Sequence, residues 1–152
     1  MDPMEMIQLT LNSFSAQLSQ SKIQVEFKNE PTPRVISNPL LLSQILGSVI
    51  ANAMEAMPTA GKLSIVARLD HAHQWLHLTI GDTGGGSSRQ QQMMAFKSFY
   101  TTRQGRLGIG FIMVKQIMES FGGDASLIID EKQGTCVHLS FRVQDRRTHA
   151  PR

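Results

Sequence analysis

The sequence predicts an α+β fold, and three observations carry that prediction. Apolar residues recur at helical spacing in three stretches, five short segments read as strands, three of them alternating with a period of two, and four of those five fall in neighbouring pairs joined by turns. At 152 residues, with 41% apolar and 18% charged side chains, the chain has the length and balance of one globular domain.

From Met4 to Gln20, Met6, Leu9, Phe14 and Leu18 predict one amphipathic helix, entering the domain over residues 1–20. Lys22 to Lys28 alternates Ile23, Val25 and Phe27 against Gln24, Glu26 and Lys28, the pattern of a half-buried strand, which Pro31 and Pro33 end. After a short extended piece at Val35-Ile36, Asn38-Pro39 supplies an N-cap and a first-turn proline for a long helix reaching about Met57. Leu42, Ile45, Leu46, Val49, Ala53 and Met57 form its apolar stripe. At ~100° per residue, Gln44, Ser48, Asn52 and Glu55 fall on the adjoining sector and face a rim.

Gly61 to Leu69 and Trp75 to Gly81 predict a hairpin about a turn at Asp70 to His73, with Leu63, Ile65, Ala67, Leu76, Leu78 and Ile80 alternating. Thr83 to Leu107 is long, polar and rich in glycine, serine and glutamine, and reads as a lid. Gly108 to Phe121 resumes a helix through Ile112, Met113, Ile117 and Phe121, which Gly122-Gly123 stops. Ala125 to Ile129 and Cys136 to Val143 flank a turn at Asp130 to Gly134 and give the sheet an antiparallel end.

No apolar run reaches the roughly 20 residues of a transmembrane helix, and Met1 to Gln20 lacks the pattern of a signal peptide, so a cytoplasmic location is expected. Cys136, the single cysteine, excludes an internal disulfide. Much of the excess behind the net charge of +3 sits in the tail Arg146-Arg147-Thr148-His149-Ala150-Pro151-Arg152, so the charge does not point to nucleic acid.

Three separated segments carry chemistry. Asn52, with Ser48 and Glu55 about a turn away on either side, can offer hard oxygen ligands to a magnesium ion, although a lone asparagine on a polar helix rim is more often just solvated. Asp82 ends a strand and opens Gly84-Gly85-Gly86, where a base can present its exocyclic amine to the carboxylate; Asp before glycines is also ordinary turn chemistry. Gly108-Ile109-Gly110 opens a helix after the lid, where backbone amides and the positive helix end suit phosphate. The dinucleotide fingerprint is not matched, because the third glycine and an immediately preceding strand are missing, and no Walker loop occurs. Phe96, Phe99 and Tyr100 either anchor the lid, bringing Arg103 of Thr101-Thr102-Arg103 toward the phosphates, or form a satellite cluster under a loop.

Taken in order, these segments resemble the catalytic ATP-binding domain of bacterial two-component sensor histidine kinases, of the GHKL superfamily, in wording closest to the nitrogen-regulation type. Asn38 to Leu46 and Asn52-Ala53-Met54-Glu55-Ala56-Met57-Pro58 look like the N box and its approach. Asp82 to Gly86 resembles the G1 box, Phe96 to Arg103 the F box, Leu107 to Phe111 the G2 box, and Gly134-Thr135 the closing glycine-threonine element. The resemblance implies a two-layer α/β sandwich of the Bergerat type, three helices on a mixed five-stranded sheet, spanning residues 21–143; the basic residues 144–152 read as a disordered tail. It implies that Asn52 holds Mg2+ and, with Arg103, serves catalysis, and that Asp82 binds the adenine amine. Gly84 and Gly86 would shape the base pocket, Thr101, Thr102 and Arg103 would approach the phosphates with Gly108, Ile109 and Gly110, and Thr135 would sit near the adenine.

Departures from the family pattern qualify these expectations. Ser48 stands where a second asparagine is usual, Arg106 where the G2 box offers a further glycine, and Gly85 where a proline is frequent. None of His71, His73, His77, His138 and His149 lies on an N-terminal helix before an acidic residue, as a phosphoacceptor box requires. The expected function is therefore transfer of the γ-phosphoryl group of Mg-ATP to a histidine on a dimerisation domain outside these residues, which serves a response regulator indirectly. The domain alone is expected to be inactive and to make no membrane contact, whether or not the parent kinase is attached to the inner membrane. A nucleotide-sensing or interaction module with little catalysis is the rival reading, and a serine kinase or ATPase of the same superfamily a third.

Overall fold

The computed structural model describes residues 2–29, 32–55, 57, 59–83, 111–130 and 134–144. Helix α1, Pro3–Ser13, starts where the Asp2 carboxylate accepts the Met4 N–H at 3.0 Å. Helix α2, Ser15–Gln20, follows a break at Phe14, so the one helix expected here is two. The hydroxyls of Thr10 and Ser13 donate back to the carbonyls of Met6 and Thr10, and the Phe14 N–H reaches Leu11 three residues back, which tightens and ends the turn. The buried face also differs from the expected one: Ile7, Thr10, Leu11 and Leu18 enter the core, whereas Leu9 is 58% exposed. The true stripe steps three or four residues at a time through Ile7, Leu11, Phe14 and Leu18, a spacing that Leu9 breaks.

Strand β1, Ile23–Asn29, leads to helix α3, Pro39–Glu55, whose first turn is capped as expected by the Leu41 N–H donating to Asn38 Oδ1 at 3.1 Å. Leu42, Ile45, Leu46, Val49, Ile50, Ala53 and Met57 are buried, each larger aliphatic contributing about 1.5–3 kcal/mol. Strands β2, Gly61–Leu69, and β3, Trp75–Asp82, form the hairpin. Its turn is held by the Asp70 carboxylate, which accepts the N–H groups of Gln74 and Trp75 at 2.8 and 3.2 Å.

Helix α4, Phe111–Ser120, buries Val114 and Met118 rather than the expected Ile112 and Met113, which are exposed. At ~100° per residue Ile112 lies ~200° from Val114, so a helix seated on Val114 and Met118 turns Ile112 away from the sheet. Gly122, at φ 79°, donates to Glu119, and Gly123 donates to Met118, the paired bonds of a Schellman end that explain both glycines. The helix start expected at Gly108 lies outside the described residues.

Strands β4, Asp124–Asp130, and β5, Gly134–Arg142, complete a sheet of order β1-β2-β3-β5-β4. Only β1 and β2 run parallel, and α3 lies in the crossover that a parallel pair needs; the other neighbours are antiparallel. Val35, expected in a short extended piece, bridges to Val143. Leu63, Ile65, Ala67, Leu76, Leu78, Ile80, Val137, Leu139 and Phe141 line the buried face, α1 packs on α3, and α4 packs on β4. The opposite face carries Arg68, His77, Thr79, Cys136, His138 and Ser140. There burial, then the neighbouring His77 and Arg68, hold the His138 imidazole below its usual pKa. No helix among the described residues is long and apolar enough to cross a membrane.

Candidate functional site

The alternation of β3 carries its last side chain, Asp82, onto the helix-facing side behind Leu78 and Ile80, where it is only 9% exposed. Antiparallel pairing of β3 with β5 sets the start of β5 beside it, and the Thr135 N–H donates to Asp82 Oδ1 at 3.3 Å. Gly134 has φ +105°, and a Cβ there would overlap the Asp82 carbonyl oxygen, so glycine alone fits between the strand ends. Gly134→Ala is expected to cost about 1–3 kcal/mol, read as a lower denaturation midpoint. An unchanged midpoint would show that β5 does not press on Asp82 in this way.

Thr135 is 5% exposed, and its hydroxyl is a buried side-chain oxygen with no hydrogen-bond partner, a condition shared among the described residues with Ser37. A buried carboxylate and a buried unsatisfied hydroxyl thus stand side by side on the same side of the sheet. Such a pair suits a ligand that both donates and accepts, directly or through an ordered water.

The end of α3 is tied to the same place. Thr83 Oγ1 accepts the Lys62 N–H at 3.0 Å and donates to Met57 Sδ at 3.6 Å, and a Cβ on Gly61 would collide with the Met57 side chain. Asn52 lies in the last turn of α3, three residues before its end at Glu55. Ser48 and Asn52 are half-buried while Gln44 and Glu55 are exposed, the graded rim that their helical angles predict. Amide, hydroxyl and carboxylate oxygens at positions 48, 52 and 55 make a hard donor set on one stripe, which fits magnesium.

The structure therefore brings Asp82 and Thr135 into contact and sets Asn52 on the helix that ends beside them. Gly84, Gly86, Thr101, Thr102, Arg103, Gly108, Ile109 and Gly110 lie outside the described residues, with the whole expected lid. Sequence reasoning missed the tie between Met57, Gly61 and Thr83, for which the one local signal was a threonine next to the strand-ending aspartate. A cavity of about 240 Å3 also reaches the strand ends, but its lining of Lys62, Ser64, Ile128 and Cys136 lies on the sheet face away from the helices, opposite the side that holds the Asp82 and Thr135 side chains. Burial, then the Asp82 charge, pushes the Cys136 thiol up, so it stays protonated and is not a nucleophile at neutral pH.

The family model described as "Histidine kinase-, DNA gyrase B-, and HSP90-like ATPase" matches residues 37–145. Sporulation kinase E of Bacillus subtilis is 26% identical over 89% of this chain and 18% of its own length. Sensor histidine kinase ZraS of Salmonella typhimurium is 29% identical over 78% of this chain and 26% of its own. The chain thus spans about a quarter or less of these relatives. Histidine kinase ThkA, solved in complex with the response regulator protein TrrA, superposes with a TM-score of 0.75 at 19% identity, covering 95% of this chain and 41% of ThkA.

Proposed function

This chain belongs to the histidine kinase-, DNA gyrase B- and HSP90-like ATPase family, and from that we propose that it is the catalytic domain of a sensor histidine kinase. It binds Mg-ATP and passes the γ-phosphoryl group to a histidine on a dimerisation domain outside residues 1–152. The observation that carries the reading is the buried pair of Asp82 and Thr135 at adjoining strand ends. An aminopurine edge offers a donor to the carboxylate and ring-nitrogen acceptors to the hydroxyl or its water.

The residues divide the work by position. Asp82 and Thr135 would orient the base, and Asn52, with Ser48 and Glu55 near it on α3, would hold magnesium. Magnesium, when bound, neutralises charge on the phosphate oxygens. Arg103 and the amides around Gly108 to Gly110 would stabilise the charge that develops as the bond to the leaving ADP oxygen breaks and the bond to the acceptor imidazole nitrogen forms. The base that readies that imidazole belongs to the acceptor's own domain, so the isolated chain turns over little ATP. ThkA, a fold relative, was crystallised with a response regulator, which supports a response regulator as the onward acceptor. A cytoplasmic site of action follows from the need for ATP.

Ser48 favours a second reading, a nucleotide sensor, because a serine is a shorter and poorer metal ligand than the asparagine the family pattern has there. Titration with a non-hydrolysable ATP analogue, with and without magnesium, followed by mixing with ATP and a phosphoacceptor helix pair, separates the two. Magnesium-dependent binding with transfer supports the kinase. Magnesium-independent binding without transfer supports the sensor, and no binding at millimolar nucleotide removes both.

Thr135→Val tests the hydroxyl alone. The substitution keeps the shape and removes a buried oxygen that has no hydrogen-bond partner, so stability should hold or rise. Affinity for the analogue should fall by about tenfold, as for one lost hydrogen bond. Equal affinities for the two proteins, measured calorimetrically, would take Thr135 out of the base site.

A further inference from the structure

We propose that His77 and His138 form a binding site for one divalent ion of the late transition metals, zinc, nickel or copper, on the sheet face opposite the helices. The inference is independent of the nucleotide reading. In the β3–β5 register Thr79 pairs with His138 and His77 with Ser140, so the two imidazoles lie diagonally across one strand pair on one face. His77 Nδ1 stands 3.1 Å from His138 Nε2, with the ring centroids 5.1 Å apart and the planes tilted by 36°. Both residues are half-buried, with an open side to solvent.

Two imidazole nitrogens on a tetrahedral ion at about 2.0–2.1 Å are separated by roughly 3.3 Å. The observed separation therefore needs an adjustment of only a few tenths of an ångström to admit a metal in place of the shared proton. The ring positions are already set by neighbours. His138 Nδ1 lies 3.2 Å from Thr79 Oγ1, and with its proton donated to that hydroxyl, His138 Nε2 carries a lone pair aimed at His77. Ser140 Oγ lies 3.3 Å from the same His77 Nδ1, which has one lone pair, so the hydroxyl gives up that contact when the His77 proton moves to Nε2 and Nδ1 ligates the ion. Metal entry requires that tautomeric shift of the His77 proton and release of the Ser140 contact, with no net change in charge on the protein and no redox step.

The chemistry of the donors selects the ion. Imidazole suits copper, nickel and zinc, whereas magnesium and calcium prefer oxygen, so the site is distinct from the magnesium ligands expected on α3. Among the described residues no group of three or more histidine, cysteine, aspartate or glutamate side chains gathers to hold a metal. The pair is thus a two-ligand site, with waters completing the shell, and binds more weakly than a four-ligand structural zinc site. Its effect is to staple β3 to β5, the strands whose ends carry Asp82 and Thr135.

The test uses the full chain, stripped with a chelator and titrated calorimetrically with zinc chloride and copper chloride in a non-coordinating buffer, with thermal unfolding followed in parallel. One ion per chain is expected to bind and to raise the unfolding midpoint, as ligation of the folded state alone requires, with copper tighter than zinc and magnesium without effect. H77Q and H138Q should each weaken zinc by at least about tenfold and abolish the shift. The triple variant H71Q/H73Q/H149Q, which removes the other histidines, should keep both. If either single variant fails to fold, the other with the triple variant decides. No saturable binding at millimolar zinc, undiminished binding by the folded single variants, or loss of binding in the triple variant would each overturn the site and leave the contact as an imidazole–imidazole hydrogen bond.

Discussion

Asp82→Asn is expected to weaken ATP by about ten- to a hundredfold or more, the worth of a hydrogen bond to a charged group together with a polar group left unpaired. Its folding should be little changed. The asparagine carbonyl oxygen can keep accepting the Thr135 N–H that Asp82 Oδ1 now accepts, and the overall shape is preserved. That same contact orients the new amide nitrogen toward the base, where it meets the donor edge of the adenine amine. Two donors then face each other. Inosine triphosphate, which carries a carbonyl oxygen at that ring position, should lose less than ATP does, so the ratio of the two affinities moves toward inosine. Binding titrations with both nucleotides read this directly. An unchanged ratio, or a loss of stability equal to the loss of affinity, removes Asp82 from the base-reading role.

Asn52→Ala is expected to have its largest effect on transfer rather than on binding. Removing one group that holds the charge-neutralising ion costs about a hundred- to a thousandfold in rate, while nucleotide affinity without magnesium should hardly move. The diagnostic quantity is the gain in nucleotide affinity on adding magnesium, which should shrink toward unity in the variant. Asn52 is half-buried on the rim of α3, beside the buried Ala53 and not part of the core itself, so stability should fall only slightly. Ser48→Asn, one turn earlier on the same stripe, should act in the opposite sense and increase the magnesium dependence. If Asn52→Ala weakens nucleotide equally with and without magnesium, the residue is not the metal ligand.

Much of the fold was legible because its signals are local. The α3 stripe from Leu42 to Met57, the Asn38 cap, the hairpin with its turn at Asp70, and the glycine stop after α4 each depend on residues within a turn or two of one another. The readings that failed were those where tertiary contact chose between two apolar faces. Leu9 and Ile112 were as apolar as Leu11 and Val114, and only docking against α3 or β4 determined which went inside. The break at Phe14 had the same origin, since Thr10 and Ser13 are weak helix formers whose hydroxyls compete for backbone carbonyls.

The candidate site divides along the same line. By itself the sequence offered the candidate residues: an amide on a helix rim, an aspartate before glycines, the pair Gly108 and Gly110, and their order along the chain. Each of these is a residue type at a short spacing that suits a phosphate-bearing ligand, and it is their order that resembles an ATP-binding domain. Only the tertiary structure decided that Asp82 and Thr135, far apart in the chain, share a hydrogen bond, that Gly134 must be glycine to clear the Asp82 carbonyl, and that the Thr135 hydroxyl is left without a partner. It also brought His77 against His138, two residues whose sequence context marks neither as a ligand. The physical reason is strand register: a shift of one residue reverses every side chain's face, and the choice among registers is made by the burial of the whole sheet and not by any one strand.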